Sequence, residues 1–289
     1  MRAWPWAMPA DMAPLATWSV PRGAGLVGVL TDIDDTLTTE GAITPDALQA
    51  LGALKAAGLH VVPITGRPVG WSAPFAATWP VDAIVAENGA AALLNTTENL
   101  HQNGLQRLSG KREQLSKIYQ QDAATRAANF RAMQQVLARI EAEVPGARRA
   151  TDSPGRETDI AIDHSEFTHL PQEAIDHAVR IMRAAGMTAT VSSIHINGWF
   201  GAHNKWEGAR WIVQQLFGRA LEDEIDRWVY VGDSTNDQIM FQHFTHSVGV
   251  ANIARFVPQL AHLPRYVTPG ERGAGFAELA RHLLAARAG

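Results

Sequence analysis

The chain reads as an α/β protein: a parallel sheet whose two halves are separated in sequence by an inserted α+β unit. Three observations lead there. Short apolar runs at 26–30, 60–64, 83–86 and 228–231 each end in polar or acidic residues, as buried strands do when their carboxyl ends open on a crevice. Helical patterns alternate with those runs at a spacing that suits right-handed crossovers. Between 90 and 198 this rhythm is lost, and after 198 it returns.

Each element has a local reason. Residues 26–30 form a strand candidate that leads into Asp32-Ile33-Asp34-Asp35-Thr36. Thr44 is a good N-cap and Pro45 suits the first helical position. Leu48, Leu51 and Leu54 give that helix its apolar face, and Gly58 closes it. The strand at 60–64 ends at Thr65-Gly66-Arg67, and the strand at 83–86 ends at Glu87-Asn88-Gly89. A long helical stretch is predicted over 111–144, broken near Asp122, with Leu115, Ile118, Phe130, Met133 and Leu137 at helical intervals. A polar loop (145–157), a half-buried alternating strand (158–165), a helix (170–185) and one strand over 188–196 complete the inserted unit. The second half then supplies a helix at 204–217 stopped by Gly218, a strand at 228–231 that ends at Gly232-Asp233, a helix at 237–242, a strand at 247–250 and a final helix at 275–286. The expected division is therefore a discontinuous core, 1–89 with 199–289, and an inserted unit, 90–198.

Composition excludes several classes. Of 289 residues, 46% are hydrophobic, enough for a sizeable core. The net charge is -4 and the 25 Lys and Arg residues are scattered, so no basic field exists to hold nucleic acid. The absence of cysteine removes disulfides and thiolate chemistry and fits a reducing cytoplasm. No apolar stretch reaches the length of about 18 residues that a membrane span needs. Residues 1–22 carry Trp4, Trp6 and Trp18 among four prolines and Asp11. That pattern breaks any signal-peptide core and reads as an irregular arm lying on the core, with a disordered arm as the alternative.

Two acidic clusters stand out, Asp32 to Asp35 and Asp233 to Asp237, each directly after an apolar run. Crowded carboxylates repel one another, and a hard divalent cation is the usual remedy. Asp32 and Asp34 lie two apart at a strand end. One free carboxylate can attack phosphorus and a second, protonated, can hand a proton to the leaving oxygen. Asp233 is placed to coordinate a cation, with Asp237 one shell further out, and Asn236 to donate to a phosphate oxygen. Thr65 and Gly66 suit a phosphate oxygen through hydroxyl and backbone N–H. Lys205 opens a helix, where a cation is unfavourable unless it answers to an anion. Taken singly, each has a plainer reading: a solvated acidic turn, an N-capped helix start, a tight turn, a surface lysine.

Taken together, these residues resemble the haloacid dehalogenase (HAD) superfamily of phosphohydrolases. The motif residues are Asp32-x-Asp34-x-Thr36-Leu37, then Thr65, then Lys205, then Gly232-Asp233-x-x-Asn236-Asp237, and the resemblance runs from Leu26 to the C-terminus. It implies a Rossmann-like, HAD-like core with Mg²⁺ as cofactor. It implies that Asp32 is the nucleophile and a metal ligand, and that Asp34 is the general acid/base with its backbone carbonyl on the metal. Thr65 and Lys205 would hold the phosphoryl group, and Asp233 would bind the metal with support from Asp237. The inserted unit is similar in position to the large cap of subgroup IIB. Within it the chain most resembles the sucrose-phosphate, mannosyl-3-phosphoglycerate and broad sugar-phosphate phosphatases. One departure is Asp35, where Gly is frequent. A dehalogenase of this superfamily would lack the acid at position 34. A P-type ATPase would carry Lys-Thr after the nucleophile and long membrane helices.

A cap closes over the site and excludes water, so substrate choice is expected from its residues. Arg148, Arg149 and Arg156 are placed to hold a carboxylate or second phosphate, or form a solvated basic loop. His195 and Asn197 suit sugar hydroxyls; Asp163 and His164 end the other cap strand and serve equally as capped strand ends. Arg67 and Asn88 end core strands at the same mouth. Trp199, Trp206 and Trp211 pack the domain junction more readily than they stack on a sugar. No histidine pair has zinc-ligand spacing with a helical partner. The expectation is a Mg²⁺-dependent phosphomonoesterase acting on a small sugar phosphate, with no nucleic-acid or membrane partner and an oligomeric state the sequence does not fix. A phosphosugar mutase on the same fold and a non-catalytic phosphate-ligand sensor are the alternatives.

Overall fold

The computed structural model describes residues 8–20, 25–95 and 115–288. Its centre is a six-stranded sheet, in the order Ala13–Pro14, Tyr266–Val267, His246–Gly249, Trp228–Gly232, Gly28–Thr31 and His60–Pro63. Every adjacent pair is parallel. A bridge between Ile64 and Val85 leads from this sheet to Ile84–Ala86. The two central strands, Gly28–Thr31 and Trp228–Gly232, are buried throughout and run side by side with Val29 opposite Val229. That register sets Asp32 level with Gly232, next to Asp233, at the carboxyl ends where ligands of open α/β sheets bind. Gly28 permits the pairing, because a Cβ there would lie 2.4 Å from the Trp228 ring.

Helices cover both faces. Pro45–Ala56, Val69–Thr78 and Arg272–Ala288 lie over one apolar cluster, and Lys205–Phe217 and Gln238–His243 over the other. Thr44 caps its helix as expected, accepting from Ala47 N–H. Within that helix Leu51 and Leu54 are buried but Leu48 is exposed, so the apolar face is narrower than its spacing suggested. Part of the N-terminal arm belongs to the core. Pro14 sits on the sheet edge, where a missing N–H costs least, and buried Trp18 stacks on Tyr266 at 5.1 Å and on His246 at 4.8 Å. Trp4, Trp6 and Pro21 lie outside the described residues.

Two further sheets of three or more strands are antiparallel, the first of them the sheet of the cap. One has the order Thr188–Val191, His195–Trp199, Ile160–Asp163 and Arg148–Arg149, with helices Ala123–Glu143 and Gln172–Ala184 closing its own apolar cluster. A second joins Ile84–Ala86, Ala91–Asn95 and Leu115–Tyr119.

Three local expectations fail. Leu115–Tyr119 is a strand, not the start of the long helix; Leu115 and Ile118 satisfy a helical interval, but pairing with Ala91–Asn95 decides their state. The helix begins only after Asp122, whose carboxylate accepts from Thr125 N–H at 2.9 Å. The run expected as one strand over 188–196 is a hairpin, reversed at Ser192 and Ser193 without a Gly, Pro or Asn to announce it. Ile160–Asp163 is buried on both faces rather than one: Ile160 and Ile162 face the cap helices, and Asp159 on the other face meets residues at the seam with the core.

Candidate active site

Asp32 follows its strand directly and is held there by Asp32 N–H donating to Val231 O at 2.9 Å. Asp32, Asp233 and Asp237, all buried, offer carboxylate oxygens within 4.8 Å of one another. Lys205 is buried among them and donates from Nζ to Asp32 Oδ1 at 2.5 Å and to Asp237 Oδ1 at 2.7 Å. Its position comes from helix Lys205–Phe217, capped by Asn204. That helix lies against the turn after Ile84–Ala86, where a Cβ on Gly208 would fall 2.5 Å from Gly89 Cα.

Three carboxylates and one ammonium leave the trio short of positive charge. Burial, with Asp237 and Asp34 nearby, pushes the Asp32 carboxyl up to about 8 even though Lys205 pulls it down. Burial and the charges of Asp32 and Asp237 hold Asp233 well above the usual carboxylate range. Burial opposes the charge on Lys205, but Asp237 and Asp32 outweigh it and hold the ammonium above its ordinary range. Asp237 is the best satisfied of the three, accepting from Lys205, from Tyr230 Oη at 2.5 Å and from the N–H groups of Asp233 and Ser234. Asp233 Oδ2 accepts from Asn252 at 3.0 Å, whereas its Oδ1, buried, has no hydrogen-bond partner among the described residues. An orphaned carboxylate oxygen beside two further carboxylates is a donor set that fits a hard divalent cation.

The Asp34 carboxylate is not in the trio. It faces the cap side and accepts from Arg67 Nε at 2.9 Å. Asp32, Asp34, Ser193, His195, Asn197 and Asn236 help to enclose a space of about 10 Å³, room for roughly one water. A wider cleft of about 430 Å³ adjoins it past Asp34 and Arg67. Thr65, buried, accepts at its hydroxyl from Arg67 N–H at 3.0 Å. Gly66 presents its carbonyl to Arg156 Nη1 at 3.0 Å and to Asn197 Nδ2 at 3.4 Å. Asn88 lies beside Gly66 with a left-handed backbone (φ 55°) and a buried amide nitrogen without a partner among the described residues. Asn236 Oδ1 accepts from Ser234 Oγ at 2.9 Å.

Arg156, His195 and Asn197 are gathered into one lattice with Asp152, Asp159 and Glu166. Arg156 donates to Asp159 at 2.7 Å and to Asp152 at 3.0 Å. His195 Nε2 lies 2.9 Å from Glu166, and Asn197 donates to Asp159 at 3.0 Å. Arg148 and Arg149 are exposed, and Arg149 pairs with Glu141. Asp163 accepts from the N–H groups of residues 165–168, a capped strand end, and His164 meets Ser192 O. Trp199 stacks on His203 and Trp206 on His243, and Trp211 packs against the core cluster beneath its helix. Asp35, in a left-handed conformation (φ 54°), pairs with Arg255 and Arg272.

Several participants escaped the sequence reading. Asp152 and Glu166 are scattered acids that meet Arg67 only because the cap folds onto it, and Asp159 is held by Arg156 and Asn197 within the cap. Tyr230 sits inside an apolar run and carried no signal. Glu87 had one, its place at a strand end. Buried with φ 49°, it accepts from Val69 N–H of the core and from Glu157 and Thr158 N–H of the cap.

Residues 29–142 match the family model of haloacid dehalogenase-like hydrolases. No curated protein matches the chain. Among solved structures, a Thermoplasma acidophilum protein aligns with a TM-score of 0.64 at 15% identity, over 90% of this chain and 99% of that one. The sucrose-phosphatase of Synechocystis sp. PCC6803, solved with sucrose and phosphate, aligns at 0.60 and 15%, over 89% and 97%. BT1666 from Bacteroides thetaiotaomicron, described among phosphatases of the haloalkanoate (HAD) enzyme superfamily, aligns at 0.54 and 17%, over 93% and 98%. The whole-chain likeness shows the fold, an α/β core with a cap as in haloacid dehalogenase-like hydrolases, and the family match covers the first part of that fold.

Proposed function

We propose that the protein is a Mg²⁺-dependent phosphomonoester hydrolase acting on a small sugar phosphate. The observation that carries this is the convergence of Asp32, Asp34, Asp233 and Lys205 at adjoining strand and helix ends, with one Asp233 oxygen lacking a partner among the described residues. The sugar class is suggested by the sucrose-phosphatase among similar folds. Residues 90–198 serve as the cap, and 1–89 with 199–289 as the catalytic core, residues 1–22 being its arm.

Asp32 attacks phosphorus, the ester P–O bond breaks, and the leaving oxygen takes a proton from Asp34. Water then attacks the aspartyl phosphate, gives its proton to Asp34 and releases inorganic phosphate. Lys205 steadies the charge on Asp32 and on the phosphoryl oxygens, with Thr65, Gly66 and Asn236 around the same group. Arg67 fixes the direction of the Asp34 carboxylate. Asp32, Asp233, Asp237 and the Asp34 backbone carbonyl are the groups that would hold Mg²⁺, which supplies charge neutralisation for phosphoryl transfer.

The test is phosphate release with Mg²⁺ across sugar and polyol phosphates, with Asp32→Asn as the blank. Turnover that vanishes in the blank is expected. Equal turnover in both proteins would remove Asp32 as nucleophile.

A further inference from the structure

Arg67 lines the space beside Asp34 and Arg156 lies behind it on Asp152 and the Gly66 carbonyl, and neither is available to an anion. Arg67 is spent on three carboxylates: Asp34 at 2.9 Å, Asp152 at 3.2 Å and Glu166 at 2.7 Å. Arg156 is spent on Asp152, Asp159 and the Gly66 carbonyl. Their side chains are only 5% and 2% exposed. The adjoining cleft repeats the balance, because Asp34, Asp35, Glu40 and Glu166 line it against Arg67, Arg255 and Arg272. Arg255 and Arg272 share Asp35, and Arg255 also lies 3.6 Å from Asp233. Two histidines border the same space, His195 on Glu166 and His169 at the cleft wall.

A carboxylate or second phosphate entering beside Arg67 would meet carboxylates already holding that guanidinium, and would have to displace one. Like charges brought together at a desolvated contact exclude a ligand strongly, and such repulsion is how sites reject near-identical partners. A hydroxyl, in contrast, finds acceptors on Glu166 and Asp34 without displacing any ion.

We infer that the leaving group is an uncharged sugar or polyol, and that Glu166 and Asp152 enforce this by occupying Arg67. This rests on the phosphatase reading and narrows it. It also reverses the expectation that Arg156 receives a carboxylate or second phosphate.

Sorbitol 6-phosphate and 6-phosphogluconate differ only in a terminal CH₂OH against a carboxylate. Their dissociation constants are read by calorimetry on full-length Asp32→Asn protein with Mg²⁺, so no turnover is required. The acid is expected to bind at least about tenfold more weakly. Adding Glu166→Gln, or separately Asp152→Asn, should narrow that gap at least about threefold by strengthening the acid. Equal or tighter binding of the acid, no measurable binding of the sorbitol ester, or a gap that neither variant changes would overturn the inference. Wild-type hydrolysis of p-nitrophenyl phosphate, measured separately, reports on the phosphatase reading by itself.

Discussion

Lys205 Nζ lies 2.5 Å from Asp32 Oδ1, and the pair joins positions 173 residues apart across a fully buried contact. The ammonium is shared with Asp237, so one cation answers two carboxylates. Lys205→Met would leave both without it. Removing one partner of a buried ion pair costs about 3–5 kcal/mol, and loss of a charge stabiliser costs about a hundredfold or more in turnover. Urea denaturation and phosphate release should show both losses. A stable variant with full turnover would place the lysine outside the chemistry.

The metal-free protein should lose stability as pH rises. Asp32 ordinarily titrates at 3.8 and is pushed up to about 8 in the fold. Between those values the folded chain holds a proton that the unfolded chain has lost, so stability falls with pH and levels off above about 8. Asp233, also raised, has the same sign. His203 opposes them, since burial lowers it from 6.5 to about 4, but only below 6.5. Melting temperature with EDTA should therefore fall from pH 6.5 to 8. Added Mg²⁺, which displaces those protons, should raise it more at pH 8 than at pH 6.5. A metal response independent of pH would contradict the trio as its site.

Gly208→Ala tests how Lys205 is placed. The new methyl would press on Gly89 Cα, backbone that cannot rotate away. Overpacking of this kind costs about 1–3 kcal/mol, and the shift carries Lys205, one turn earlier. Turnover should fall by about tenfold or more, alongside a lower melting temperature. Unchanged turnover in the destabilised variant would separate the contact from catalysis.

Glu87→Ala removes the acceptor shared by Val69, Glu157 and Thr158. Each buried donor left unmatched costs about 1–3 kcal/mol, so denaturation midpoints should drop clearly. Because two of the donors belong to the cap, KM should rise more than kcat falls. A proportional fall in kcat alone would argue against a role in seating the cap.

The chain's own pattern determined the α/β class and the parallel sheet, and its resemblance to a known family pointed to Asp32, Asp233 and Lys205 as one site. Those features rest on local signals: apolar runs ending in carboxylates, Thr44-Pro45 opening one helix, Asn204 and Gly218 bounding another. Leu115–Tyr119 was lost because a short apolar interval fits helix and strand alike, and the partner strand decides; the hairpin at Ser192 was lost because no turn residue marks its reversal. The lattice around Arg67 is of a different kind. Asp152, Asp159 and Glu166 are unremarkable in sequence; the fold of the cap sets Asp152 and Asp159 on Arg156, and only packing of the cap on the core brings Asp152 and Glu166 to Arg67. Tertiary structure alone decided that those arginines are spent rather than free, because charge pairing depends on distance and burial, and neither is written in the order of residues.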